Sequence, residues 1–507
     1  MDGSTVQIAT GMVLGVEARP IAVEATARHS GDGTPRILGL ADPGVREAYH
    51  RVLQAFSALS LPAPRGVTTV NLAPASLRKT GSGFDLPLAL ALAGAGGLFE
   101  PGRTRGVAAY AEVSLGGLLL SARGAVSVAA LARERGLSTF LCSPEDAPAC
   151  AAVGGLRVLG PRTLADALYW ITGQRDLDAA APRPRRSAAP GPDLADLCGL
   201  ETPKLALAVA AAGEHNLLFV GPPGTGKSAL LHRLPGILPP PPESLLLEIG
   251  KIHAAAGLAA PDWRPFRAPH HTSSTASLIG GGPELRPGEV SLAHGGILFL
   301  DELPEFHRDA LECLRQPLED GRVTVGRALR TVSMPAGFVL AAAMNPCPCG
   351  YLGHPSRPCV CPPPAVHRYR SRVSGPLLDR IDLQVEVPPI DPASYGGSVE
   401  PEWATPAMRA RVLEACRRQR ERNCQGTSFV PNGRLQDSLL ERCCALAPSG
   451  RRLLERILRA HGLGGRARVR MMRIARTLAD LAGRDAVEEG DLLEAAALRG
   501  FASGARS

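Results

Sequence analysis

Lysine is nearly missing from this chain. Of its 507 residues 56 are basic, and only Lys79, Lys204, Lys227 and Lys251 are lysine; all the others are arginine. A compact ammonium and a planar guanidinium are not interchangeable at a phosphate-gripping or tightly packed site, so the four spared positions are candidates for such sites. Aromatics are scarce too, at 4%. Any core is therefore built mainly from Leu, Val and Ala, and stacking on bases is a poor candidate for a binding mode. Long apolar runs are absent. The longest uncharged one, Leu86–Phe99, has 14 residues, which is short for a membrane span and suits a buried helix. Met1–Thr10 has neither a basic start nor an apolar stretch, as a secretory signal requires. The expectation is a cytoplasmic protein without membrane association, in which twelve cysteines do not read as a disulfide framework.

What is present looks globular: 45% hydrophobic and 21% charged residues, in a length that suits two to four domains. The net charge of +8 permits nucleic-acid binding without requiring it, since an arginine-rich solvated surface has the same charge. Residues 1–175 alternate short apolar runs (Val67–Leu72, Leu137–Leu141) with helix-like stretches (Val45–Leu59, Val126–Arg135), so a mixed α/β domain is expected. Residues 176–192, rich in Ala, Pro and Arg, read as a linker. Residues 193–394 contain Leu217–Val220, Ile297–Leu300, Phe338–Ala343 and Ile381–Val387, continuous apolar runs of the kind buried on both faces of a parallel sheet. Residues 395–507 read as helical, over Met408–Arg422, Leu435–Leu446, Gly450–His461, Arg466–Leu481 and Glu488–Leu498.

The chemistry is densest around the third lysine. Gly221-Pro222-Pro223-Gly224-Thr225-Gly226-Lys227-Ser228 follows an expected strand and opens an expected helix, in which Leu230, Leu231 and Leu234 share a face. That context identifies a phosphate-binding loop. Its glycines let backbone N–H groups turn inward around phosphates, and the helix N-terminus adds its dipole. Lys227 is expected to reach the β- and γ-phosphates of ATP, and Ser228 to ligate Mg²⁺. Asp301 and Glu302 end the run Ile297–Leu300. There Asp301 can hold the Mg²⁺ water shell and Glu302 can polarise the attacking water. Asn345, ending another run, can orient the same water; an Asn before Pro is also a common turn.

Two further clusters leave alternatives open. Cys347, Cys349, Cys359 and Cys361 flank a Pro/Gly loop that contains His354. They read either as a tetrahedral Zn²⁺ site, with pair spacings tighter than usual, or as reduced cysteines in a turn-rich insertion. Arg451–Arg476 has nine arginines and one acid, Glu455. It reads either as a phosphate-tracking nucleic-acid face or as a solvated helical surface, some of whose arginines serve ATP. His270 and His271 read as structural or pore-loop residues.

Nearly the whole chain resembles the magnesium-chelatase-like AAA+ ATPases of the ComM/YifB type. The resemblance is carried by Arg267-Ala-Pro-His-His-Thr272, by Pro287-Gly-Glu-Val-Ser-Leu-Ala-His-Gly-Gly-Ile-Leu-Phe-Leu-Asp-Glu302 and by Met344-Asn-Pro-Cys-Pro-Cys-Gly350. Gly375-Pro-Leu-Leu-Asp-Arg-Ile-Asp382, Ala475-Arg-Thr-Leu-Ala-Asp-Leu481, Asn71-Leu-Ala-Pro-Ala75 and Phe84-Asp-Leu-Pro-Leu88 also fit. It implies an α/β fold with three parts: an N-terminal Lon-protease-like (S5-like) domain, an AAA+ P-loop NTPase core and a C-terminal helical lid. It also implies a homo-oligomeric ring, a hexamer, with ATP at subunit boundaries. By the same resemblance Asn345 is the sensor, Arg380 the arginine finger and Arg466 the sensor arginine of the lid. Gly321–Met334 would be a pore-facing β-hairpin. The segment matching the proteolytic lysine region, Gly124-Ala-Val-Ser-Val128, holds no lysine, so the first domain reads as non-proteolytic. The function implied is an ATP-driven motor on single-stranded or branched DNA, of helicase or branch-migration type, in recombination or natural transformation. The alternative is a protein remodeller or a metal-insertion ATPase of magnesium-chelatase type.

Overall fold

The computed structural model describes residues 5–28, 36–39, 43–62, 67–77, 79–184, 186, 191–282, 285–327, 330–389, 401–425 and 428–500. The first block is a seven-stranded sheet. Its strands are β1 (Thr5–Leu14), β2 (Glu17–Arg28), β3 (Arg36–Leu38), β4 (Val67–Ala73), β5 (Val107–Tyr110), β6 (Thr139–Cys142) and β7 (Arg157–Leu159), in the order β3-β4-β2-β1-β5-β6-β7. The β1–β2 and β2–β4 pairs are antiparallel, whereas β1–β5, β5–β6 and β6–β7 are parallel. Helix α1 (Pro43–Ala58) packs on α2 (Asp85–Ala95), and α2 and α3 (Ala125–Glu134) pack on this sheet. The long apolar run forms α2, buried continuously from Asp85 to Gly94. A helix apolar all round has nowhere to go but inside a core.

The expected linker is partly structured. Ala179 bridges to Leu159, and the Ala180 N–H donates to the Val158 carbonyl, so its start lies along the outer edge of β7. Residues 185 and 187–190 of it lie outside the described residues.

The second block holds α4 (Glu201–Gly213), β8 (Leu217–Val220), α5 (Lys227–Leu231), α6 (Glu243–Ala256), β9 (Phe266–Arg267) and β10 (Ile297–Leu300). It continues with β11 (Arg322–Arg327), β12 (Arg330–Pro335), β13 (Val339–Met344) and β14 (Leu383–Glu386). Five strands form a wholly parallel sheet in the order β9-β10-β13-β8-β14. Of the four expected strands, β8 and β10 match residue for residue; β9 adds a fifth, too short to read as a strand. The helix after the phosphate loop stops at Leu231, and Leu234–Ile237 restarts it. Pro235, which has no N–H to continue a helix, sits in the restart, and Leu230, Leu231 and Leu234 remain fully buried. The expected hairpin is present as the antiparallel pair β11–β12; its tip, residues 328–329, lies outside the described residues.

The last block is helical: α7 (Thr405–Asn423), α8 (Asp437–Cys443), α9 (Pro448–Ala460), α10 (Gly465–Leu481) and α11 (Glu489–Ala497). One apolar cluster runs through both blocks, joining Leu217, Phe219 and Leu383 to Met471, Leu478 and Leu492. A buried polar network crosses the same joint. Asp480 accepts two bonds from Arg422 at 2.7 Å, one from Arg476 at 2.9 Å and one from Asn432 at 2.8 Å. His215, just before β8, meets Thr477 at 2.8 Å. Among the described residues the Arg476 Nε is left without a partner, but buried networks of this kind still favour one arrangement of the parts they join.

The first block docks on the second through α3 and α6. The Gly124 N–H donates to the Ala254 carbonyl, Lys251 pairs with Glu17 at 3.2 Å, and Val16 lies in one apolar cluster with Ile252 and Met334 of β12. Among the described residues no helix is long and apolar enough to cross a membrane.

Candidate nucleotide site

Strand order assembles the site. The phosphate loop leaves β8, Asp301 and Glu302 leave β10, and β13 runs between them, so Asn345 emerges midway between loop and acids. The loop's geometry explains its composition. Gly224 and Gly226 have φ of 77° and 84°, in the left-handed region open to glycine. A Cβ on Gly221 would come within 2.3 Å of the Val387 carbonyl oxygen. Thr225 is buried and its hydroxyl donates to the Pro222 carbonyl at 3.0 Å. The Lys227 ammonium donates to the carbonyls of Gly221 and Pro222, both at 2.7 Å, and to Asn345 Oδ1 at 3.2 Å. Burial pulls it below the usual lysine range, against the opposing pull of Asp301 and Glu302.

Ser228 Oγ donates to Asp301 Oδ2 at 2.7 Å. A hydroxyl and a carboxylate held together are oxygen donors of the kind a hard Mg²⁺ takes, so this part of the site fits the ion. Glu302 stands at φ 51° with its side chain 58% exposed. Its backbone N–H donates to Asp301 Oδ1 at 3.0 Å, turning its carboxylate outward. His271 Nδ1 lies 3.8 Å from that carboxylate, and its ring stacks on His270 at 4.1 Å between centroids. His271 follows the short strand β9, beside β10, so it belongs to the nucleotide site. The missed signal was the brevity of β9.

Arg380 and Arg466 are not among these groups. Arg380 donates to the Pro376 carbonyl at 2.8 Å and pairs with Glu319; its Nε has no partner among the described residues. The acid it meets within the chain is Glu319. Arg466 is exposed at the start of α10. Arg380, by hydrogen bond and charge, and Arg466, by charge, together hold the Glu319 carboxyl below the ordinary glutamate range. The two arginines thus share one surface. Glu319 escaped the sequence reading because it lies 61 residues before Arg380.

The arginine-rich stretch divides in two. Arg452, Arg456 and Arg459 line an open surface cavity with Ser449, Glu455 and Glu489. Arg470 and Arg473 instead turn inward, where burial lowers them and Asp382 opposes the shift, and Arg476 is buried against Asp480. The four clustered cysteines do converge: their sulfurs all lie within 4.8 Å of one another.

Three family models cover most of the chain: subunit ChlI of Mg-chelatase at residues 23–146, magnesium chelatase subunit ChlI at 193–395, and its C-terminal part at 402–499. The competence protein ComM of Haemophilus influenzae is 37% identical over 498 residues, covering 96% of each chain. The chain belongs to the magnesium-chelatase-like family, in its ComM/YifB branch. YifB of Salmonella typhimurium, an uncharacterised protein, is 37% identical over 501 residues, covering 97% of this chain and 96% of its own. Lon protease 2 of Bacillus subtilis is 28% identical over 156 residues, covering 26% of each chain. The fold is accordingly that of an AAA+ ATPase core with a Lon-like α/β block before it and a helical block after it. Family membership implies an ATPase that uses ATP and Mg²⁺.

Proposed function

We propose that this protein is a ring-forming, ATP-driven motor that moves on single-stranded or branched DNA, of helicase or branch-migration type. Within one subunit, Gly221–Ser228 would hold the ATP phosphates, with Lys227 on the β- and γ-phosphates. Ser228 and Asp301 would hold Mg²⁺, which draws charge from the phosphate oxygens. Glu302 accepts the proton of the attacking water, Asn345 orients that water, and His271 restrains the Glu302 carboxylate between turnovers. Arg380 and Arg466 serve a neighbouring subunit's nucleotide, which makes the active unit an oligomer; a hexamer is the ring the family suggests. The surface hairpin β11–β12 is the element that would meet DNA in the pore. The first block is non-proteolytic on this reading, since the Lys79 ammonium is buried and donates to the carbonyls of Gly39 and Pro74.

The observation that carries the DNA reading is the full-length likeness to a competence protein. The exposed arginines of α9, suited to backbone phosphates, support it. The family description as a magnesium chelatase subunit favours a second reading, a remodeller that assists metal insertion. ATPase rate separates the two when measured without DNA, with single-stranded DNA, with a fork and with a four-way junction. Stimulation by the branched or single-stranded forms supports the motor. Rates unchanged by every DNA would favour the remodeller.

A further inference from the structure

We propose that Cys347, Cys349, Cys359 and Cys361 bind one zinc ion, and that this centre braces the phosphate loop, so that nucleotide affinity depends on the metal. Two chain segments bring the ligands together. Sγ of Cys347 lies 3.4 Å from that of Cys349 and 3.6 Å from that of Cys359, and Cys349 and Cys359 are 3.5 Å apart. A regular Zn–thiolate tetrahedron with bonds of about 2.3 Å has edges of about 3.8 Å, whereas a disulfide bond is about 2.05 Å. The sulfurs are therefore spaced for a shared ion and not for oxidation in pairs.

Backbone donors surround them. The Cys349 N–H donates to Cys361 Sγ at 3.3 Å. The N–H groups of Tyr351 and Val360 point at Cys349 Sγ, and that of Cys361 at Cys359 Sγ. Donors placed around the sulfurs are of the kind that orient a metal's ligands, and thiolates are what a metal binds. Four thiolates this close repel one another without a cation among them. A closed set of four sulfur ligands within 4.8 Å of one another is the composition of a structural zinc site, which zinc occupies tetrahedrally.

The knuckle is wedged into the nucleotide site. Cys347 is fully buried and lies two residues after Asn345, the acceptor of the Lys227 ammonium. Gly350, at φ +83°, abuts the phosphate loop: a Cβ there would come within 2.6 Å of Pro223 Cδ. Arg370 ties the same turn to the core by donating to the Pro346 carbonyl at 3.0 Å. The metal thus closes the turn that presents Asn345 on one side and presses on Pro223 on the other.

The metal site stands on sulfur geometry alone. The coupling rests on the phosphate loop being the ATP site, so the two claims fail separately. The test uses the full chain purified without chelator. Elemental analysis should find one zinc per chain, and Co²⁺ added to the reduced apoprotein should give the absorption of a tetrahedral thiolate complex. Zinc below about one-tenth of the chains, with no Co²⁺ complex, overturns the site, and stoichiometric iron overturns the metal's identity. Cys359→Ser with Cys361→Ser should remove the metal and weaken binding of a fluorescent ATP analogue by about tenfold or more. Should that variant fail to fold, the unaltered chain decides the coupling: nucleotide affinity should fall when a chelator strips the zinc and return when Zn²⁺ is added back. Unchanged nucleotide affinity in the folded, zinc-free chain overturns the coupling.

Discussion

Two groups of arginines in the same lid and core behave in opposite ways. Arg422 and Arg476 turn inward onto Asp480, whose carboxylate is fully buried and which Asn432 also reaches. Arg380 is itself largely covered, but its acid among the described residues is Glu319, whose side chain is 60% exposed. The inward group meets its acid within the lid, although the buried Arg476 Nε has no partner among the described residues, so its role is to hold the lid helices together. The Arg380–Glu319 pair is open to solvent on its Glu319 side, and pairs of that kind are worth about 0–1 kcal/mol. On the proposed function, an Arg380 held by one exposed acid would be the arginine that meets a neighbour's phosphate. On that proposal, stability and catalysis are divided between arginines that the sequence writes identically.

The division is broken most sharply at Arg380. Arg380→Ala should leave nucleotide binding and melting temperature nearly unchanged. It should lower turnover by about 10³–10⁵-fold, the scale of an arginine finger; a steady-state ATPase assay beside a thermal melt checks both. Glu302→Gln should also bind nucleotide and slow hydrolysis, by about 10²–10⁴-fold, as expected for loss of a general base. Normal hydrolysis by that variant would refute the role given to Glu302. Arg476→Ala should do the reverse of Arg380→Ala. It removes one partner of a buried pair, a loss that costs about 3 kcal/mol, at the low end because Asp480 keeps Arg422. Denaturant unfolding should show this, and turnover per folded molecule should fall little. Smallest of all, Lys251→Ala removes the partly exposed pair with Glu17, worth about 0.2–1 kcal/mol, and should loosen the first block without altering the nucleotide site.

The sequence showed the phosphate loop, Asp301, Glu302 and the apolar strands because each is a local pattern on one stretch of chain. It also showed the lid helices to within a few residues, since their 3.6-residue period is local as well. What it hid depends on strand order and on distant pairs. Asn345 sits between Lys227 and the acids because β13 pairs with both β8 and β10, which no spacing encodes. His271 meets Glu302 across neighbouring strands, and Glu319 meets Arg380 across 61 residues. Arg451–Arg476 looked like one charged face because Asp382 and Asp480, the acids that draw Arg470, Arg473 and Arg476 inward, lie outside that window. The four lysines show the same limit. Lys79, Lys204 and Lys227 are buried, with their ammonium groups on main-chain carbonyls. Their scarcity marked all four as special and the loop motif singled out Lys227, but only the structure shows Lys79 and Lys204 packed on main-chain carbonyls.

The central claim is that each nucleotide site is completed by an arginine from the next subunit. The most direct measurement mixes two variants, Lys227→Ala and Arg380→Ala, and follows ATPase rate across the mixing ratio. Each variant alone should be inactive. Mixed rings should regain activity, because some interfaces then pair an intact phosphate loop with an intact arginine. A mixture that stays inactive although mixed rings demonstrably form would contradict the account, as would an Arg380→Ala protein that hydrolyses ATP normally by itself.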